Sequence, residues 1–167
     1  FEKTIANRVY ELNKQEELTV AGYLERYAEP IISNLDASSF DTFKALIVIP
    51  IYDETEEQIQ LFLDFQKHSQ NHQAILMVWV FNAPESAKDS PSLERTQKVF
   101  ESMILKTQAN KLTDELYLSK PRTSLQVLLV DRCHKSLIPD KQGVGLARKL
   151  GMDLALKLVY QQYLRTH

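Results

Sequence analysis

The chain of 167 residues contains one cysteine, Cys133, so no intrachain disulfide can form, and its cysteine usage fits a reducing, cytoplasmic compartment. No apolar run approaches the roughly 20 residues that span a bilayer, so no transmembrane segment is expected. Charge of one sign is lacking too. Twenty Lys and Arg stand against 22 Asp and Glu, a net charge of -2. That removes the global electrostatic case for a nucleic-acid partner or an anionic membrane. Several signatures are missing: G-x-x-x-x-G-K-[ST], G-x-S-x-G and D-x-D do not occur. His68 and His72 have no acidic or cysteine partner at ligand spacing and read as solvated loop residues. Cys133 and His134 are neighbours in sequence, which does not by itself pair their side chains. The remaining composition, 44% hydrophobic and 25% charged, is that of a globular domain with a core.

The stretch Ala45–Phe65, ALIVIPIYDETEEQIQLFLDF, organises what is present. Its branched apolar run reads as a strand buried on both faces, closed by Pro50 and the polar turn Tyr52-Asp53-Glu54-Thr55. Ile59, Phe62 and Leu63 then recur at helical spacing, and Thr55 with Gln58 fits a capping box. The acidic residues at this helix start suit its dipole, or they touch a ligand at the strand end. Ala74–Phe81 reads as a second buried strand, ending in the turn Asn82–Ser86. Ser90 caps a helix that Pro91 opens. Lys111–Arg122 reads as irregular or a short turn of helix. Leu125–Val130 is a third buried strand, with Asp131 and Arg132 at its end. The order β-α-β-α-β predicts an α/β fold with a Rossmann-like, mostly parallel sheet and right-handed crossovers.

Residues 1–40 read as a helical pair forming an N-terminal extension to the α/β domain of residues 41–167. Ile5, Val9 and Leu12 form the first stripe, and a turn is expected at Asn13–Leu18. Thr19 is placed as the cap of the second helix, with Val20, Tyr23, Leu24, Tyr27 and Ile31 on one face. Ser33–Phe40 reads as a linker.

Only four glycines occur, and Gly143, Gly145 and Gly151 fall within nine residues. The first two allow positive φ or close approach of a partner. Gly151 sits inside a helix marked by Leu146, Leu150, Leu154 and Leu158, where it costs roughly 1 kcal/mol against alanine. Close packing on a strand or ligand would justify that cost. A glycine-rich helix start beside Lys141, Arg148 and Lys149 suits an anionic group; a turn that only packs is the equal alternative.

Ile47–Glu54, IVIPIYDE, resembles the V-I-P-x-Y-N-E opening of family-2 glycosyltransferases, and Gly143–Gly151, GVGLARKLG, resembles that family's G-x-G-x-A-R-N-x-G segment. The resemblance implies a nucleotide-diphospho-sugar transferase-like fold. It implies a chain that binds a nucleotide-diphosphate sugar donor, UDP-linked among the options. It also implies that Pro50, Tyr52, Asp53, Glu54, Asn82, Asp131, Arg132, Lys141, Gly143 and Arg148 border the nucleotide. Position 82 is Asn where the family has an acid. The family's divalent metal, Mn or Mg, is held by a later D-x-D. The expectation is therefore the donor-binding N-terminal part of a longer enzyme, truncated at its C-terminal end, inactive alone and holding no metal by itself. A homodimer through an exposed edge, and a non-catalytic interaction module of the same fold, are the further expectations.

Overall fold

All eight positions of Ile75–Asn82 are buried, because this strand has parallel neighbours on both sides and helices on both faces. A computed structural model describes residues 12–65 and 73–166. In chain order these form α1 (Lys14–Arg26), β1 (Ala45–Ile51), α2 (Glu56–Phe65), β2 (Ile75–Asn82), α3 (Pro91–Lys106), β3 (Asn110–Lys111), β4 (Leu116–Arg122), β5 (Leu125–Arg132) and α4 (Gly143–Thr166). The fold is α/β. The five strands lie in the order β1-β2-β5-β4-β3. β1 and β5 run parallel to β2, while β4 runs antiparallel to β5 and β3 antiparallel to β4. The sheet is thus mixed, parallel on one side and a meander on the other.

The period of two along β2 sorts the core. Met77, Trp79 and Phe81 face α2 and α3, packing with Ile59, Leu63, Phe100 and Met103. Leu76, Val78 and Val80 face α4, with Ala147, Leu154 and Leu158. Gly151 lets α4 seat directly on the sheet: a Cβ there would collide with Val48 Cγ1 and lie 3.0 Å from Val80 Cγ2. The strand, not a ligand, accounts for this glycine. No helix among the described residues is long and apolar enough to cross a membrane.

Several local expectations held. Thr55 and Gln58 exchange the two capping hydrogen bonds at α2, and Ser90 Oγ accepts from Leu93 N–H at the start of α3. Others need correction. β1 is half-buried at six of its seven positions, not buried on both faces, because among the described residues it pairs with β2 alone. Of the first stripe of the N-terminal pair, Ile5 and Val9 lie outside the described residues, as do His68 and His72, while Leu12 stands just before the Asn13 cap of α1. The turn expected at Asn13–Leu18 is helix: Asn13 caps α1 in a capping box with Glu16, and Thr19 sits inside it, back-bonded to Gln15 O. α1 ends at Arg26, leaving Tyr27 64% exposed, and Pro30 opens a separate 3-10 turn, Pro30–Asn34. Ser33–Phe40 is no free linker. Ile32, Leu35, Ala37 and Phe40 are buried in the core on the α4 side. Lys111–Arg122 holds the strand β4; its Pro121 falls in a register irregularity between Ser119 and Arg122, where a missing donor is tolerated.

Candidate functional site

The carboxyl ends of β1 and β2 meet the start of α4 around a cavity of about 430 Å³, lined by Pro50, Tyr52, Glu54, Asn82, Pro84, Ile138, Gly143, Val144 and Arg148. Its floor is set by Asn82. The Asn82 side-chain amide donates to Ile51 O at 3.1 Å and Val80 O at 3.0 Å. Both partners are acceptors, so the nitrogen must point at them, and an aspartate here would set a carboxylate against two carbonyl oxygens. Asn82 stitches the two strand ends together, and its carbonyl oxygen is what it retains for a ligand.

The turn after β1 splits its side chains between two directions. Asp53 has φ 57°, a left-handed conformation that Asp tolerates better than most residues. Its backbone N–H donates to Thr96 Oγ1 at 2.9 Å. Its carboxylate takes a bidentate grip from Arg95, Nε at 2.7 Å and Nη2 at 3.0 Å, and a bond from Ser92 Oγ at 2.9 Å. The hydrogen bonds from Arg95 and Ser92 hold the Asp53 carboxyl below the usual carboxylate range. Asp53 therefore pins the turn to α3, while Tyr52 and Glu54 line the cavity.

The far wall is held by the connection from β5 to α4. Ile138 N–H donates to Ala83 O at 2.8 Å and Ile138 O accepts from Glu85 N–H at 2.9 Å, so this segment lies along the extension of β2. Asp140 Oδ1 accepts from Ser86 N–H at 2.8 Å. Gly143 then takes φ 49° at the start of α4, a value that favours glycine. Gly145 has no such φ, and no atom lies within 4 Å of where its Cβ would be. Nothing in the packing requires glycine there. The first turn of α4 carries no acidic residue, so its N–H groups and the exposed Arg148 present positive charge beside the cavity.

Six of the ten residues named from the sequence thus converge: Pro50, Tyr52, Glu54, Asn82, Gly143 and Arg148. Asp53, Asp131, Arg132 and Lys141 do not line the cavity. Asp131 Oδ1 accepts instead from the backbone N–H groups of Cys133 and His134, 3.1 Å each. Arg132 pairs with Glu115 at 3.2 Å. Lys141 is exposed on the connection before α4. Lys149, next to Arg148, reaches Asp153 at 2.8 Å, Glu29 at 2.9 Å and Tyr27 O at 2.8 Å. Burial pulls its pKa down, but bonding to Asp153 and Glu29 outweighs this and holds it above the usual lysine value. Pro84, Ile138 and Val144 are cavity residues that sequence reasoning missed. Pro84 was signalled by the turn at the end of β2 and Val144 by the glycines on either side of it; Ile138 had no local signal.

A divalent ion of the Mn or Mg kind finds a poor fit in the cavity as built. Glu54 is the only carboxylate lining it, Asp53 being committed to Arg95, and such ions need further oxygen ligands. No step is therefore derived through a metal at this place. Comparison with known proteins returned no match: no family model fits the chain, and no curated protein or solved structure is significantly similar to it.

Proposed function

We propose that the cavity at the ends of β1 and β2 binds the nucleoside diphosphate of a sugar donor, and that the chain is the donor-binding part of a glycosyltransferase. The observation that carries this reading is the convergence of Pro50, Tyr52, Glu54, Asn82, Gly143 and Arg148 on one cavity. Five of them come from two separated stretches, Ile47–Glu54 and Gly143–Gly151, and each stretch resembles a segment of the same family; Asn82 comes from a third, at the end of β2. In the proposed complex the Tyr52 ring, 37% exposed, stacks on the base. The N–H groups of the first turn of α4, with Arg148, meet the diphosphate. Gly145 supports this, since its open surroundings leave the backbone approachable where packing gives no reason for glycine.

Strand order supports a Rossmann-like reading of the parallel half. Taken alone, the parallel strands lie third-second-first (β5, β2, β1), as in one half of a doubly wound sheet. α4 crosses to the face opposite α2 and α3. Ligands of such sheets bind outside the carboxyl ends of the strands, and the cavity lies at the carboxyl ends of β1 and β2.

A second reading, a non-catalytic module of the same fold, is favoured by Asn82 and Asp53, whose hydrogen-bonding groups serve the scaffold. Titration with uridine diphosphate, with and without Mn²⁺, followed by NMR, separates the two. Saturable binding that shifts the amides of Tyr52, Asn82 and Gly143 supports the donor site. A folded chain that binds nothing at millimolar nucleotide, weaker than about -4 kcal/mol, overturns it in favour of the module.

A further inference from the structure

The bend that follows β5 gathers a second group of reactive side chains, on the sheet face covered by α3. Cys133 is fully buried in that core, and the His134 ring packs on Phe100 with centroids 5.5 Å apart. Sequence adjacency suggested no pairing between Cys133 and His134, and an extended strand would send them to opposite faces. The bend instead places Cys133 Sγ 3.6 Å from His134 Nδ1. Asp131 Oδ1 lies 3.0 Å from the same nitrogen and 3.5 Å from the sulfur.

Ligands held tetrahedrally by zinc, with bonds of about 2.0–2.1 Å to N and O and about 2.3 Å to S, stand about 3.3 Å apart for N and O and about 3.5 Å for pairs with S. The three atoms already form a triangle close to one face of that tetrahedron. We propose that Asp131, Cys133 and His134 form a zinc-binding site, with water as the fourth ligand.

Three independent features fit it. Nε2 of His134 lies 3.2 Å from Glu101 Oε1 on α3. With Nδ1 given to the metal, Nε2–H donates to that carboxylate, the outer partner that orients metal-bound imidazoles. The backbone N–H groups of Cys133 and His134 fix Asp131 in place before any ion arrives. His134 also borders a cavity of about 590 Å³ lined in part by Glu85, Gln97 and Lys135, which leaves the edge of the group open to solvent. Carboxylate and thiolate together balance a divalent charge, and a thiolate with an imidazole selects zinc over Mg or Mn. On binding, the Cys133 S–H bond breaks, the sulfur lone pair forms the bond to zinc, and one proton leaves to solvent; no electron is transferred. Because the thiol must give up its proton to bind, binding tightens as pH rises. The site departs from the expectation that this chain holds no metal by itself, and it is independent of nucleotide binding at the other cavity.

The test is titration of the whole chain with Co²⁺, then Zn²⁺. The expected result is a one-to-one complex with a near-ultraviolet thiolate-to-cobalt band and intense visible bands, both bleached by Zn²⁺. Cys133→Ser removes the thiolate band. His134→Gln, at a partly exposed side chain, weakens Zn²⁺ binding at least tenfold. Glu101→Gln keeps the band and weakens binding about ten- to a hundredfold. Native chain that binds Co²⁺ without a thiolate band overturns the proposal. So does a folded His134→Gln chain that binds Zn²⁺ as tightly as native.

Discussion

Arg148 and Lys149 are neighbours on α4, yet they belong to opposite kinds of region. Arg148 is exposed on the turn that opens to the cavity, beside a glycine with open space around it. Lys149 begins a saturated network. Asp153, only 2% exposed, accepts from Lys149, from Tyr23 Oη at 2.7 Å and from Glu29 N–H at 2.8 Å. Those bonds tie α1 and the segment after it to α4. Basic charge near a glycine-rich helix start does not by itself mark a ligand site.

The comparison breaks most visibly at Asp153. Asp153→Ala removes the acceptor of three hydrogen bonds and leaves Lys149 held by Glu29 and the Tyr27 carbonyl alone. It should cost roughly 3 kcal/mol, read by chemical denaturation, while leaving nucleotide binding by surviving folded chain unchanged. A loss below about 1 kcal/mol would put the network among ordinary surface contacts. Gly151→Ala gains helix propensity but drives a methyl into Val48 and Val80. A net loss of about 1–2 kcal/mol is expected, again in denaturation midpoint.

On the open side the ranking of effects inverts. Arg148→Ala should leave stability within about 0.5 kcal/mol and lower uridine-diphosphate affinity about tenfold, near 1.4 kcal/mol, by calorimetry. Gly145→Ala, with room for its methyl, should stabilise α4 by up to about 1 kcal/mol and still weaken the nucleotide. If both variants bind normally, the two sides of α4 differ in packing only.

The smallest effect belongs to Asp53. Its carboxyl is held below its unfolded-state value by Arg95 and Ser92, so its contribution is present above the unfolded carboxylate pKa of about 3.9. It is lost as pH falls through the lower folded value. Asp53→Asn should therefore shift the denaturation midpoint slightly at neutral pH, less at high salt, and not at all in strong acid.

The elements that sequence reading located had their causes close together in the chain. β2 is apolar from Ile75 to Phe81 and β5 is interrupted only by Gln126 before Asp131, and α2 and α3 announce themselves by caps. β4 escaped because Ser119, Lys120 and Pro121 interrupt its apolar residues, and it is a strand only because β5 lies beside it. Asn13 and Glu16 did carry a capping signal for α1, which the polar run after them obscured. Leu35, Ala37 and Phe40 have neither period, since 3-10 turns bury them irregularly. At the cavity, residues on strand ends and the helix start were legible, because those elements fix their direction. Asp53 was not, because one left-handed residue turns its side chain to α3. The contact of Cys133 with His134 was hidden because it is made by the bend after β5, which adjacency in sequence does not reveal.

The meander described above also bears on how the chain reaches this shape. Arg122 pairs with Leu125 across Thr123 and Ser124, whereas Ala45 must find Ile75 and Ile75 must find Leu125. Closing the short loop loses far less chain entropy, so the hairpin of β4 and β5 is the natural nucleus, onto which β2 and then β1 add. Conservative truncations at Leu118 and Leu128 should slow folding, and one at Ile47 should mainly speed unfolding. The cavity, framed by the last strand to join, would then be the last part of the protein to exist.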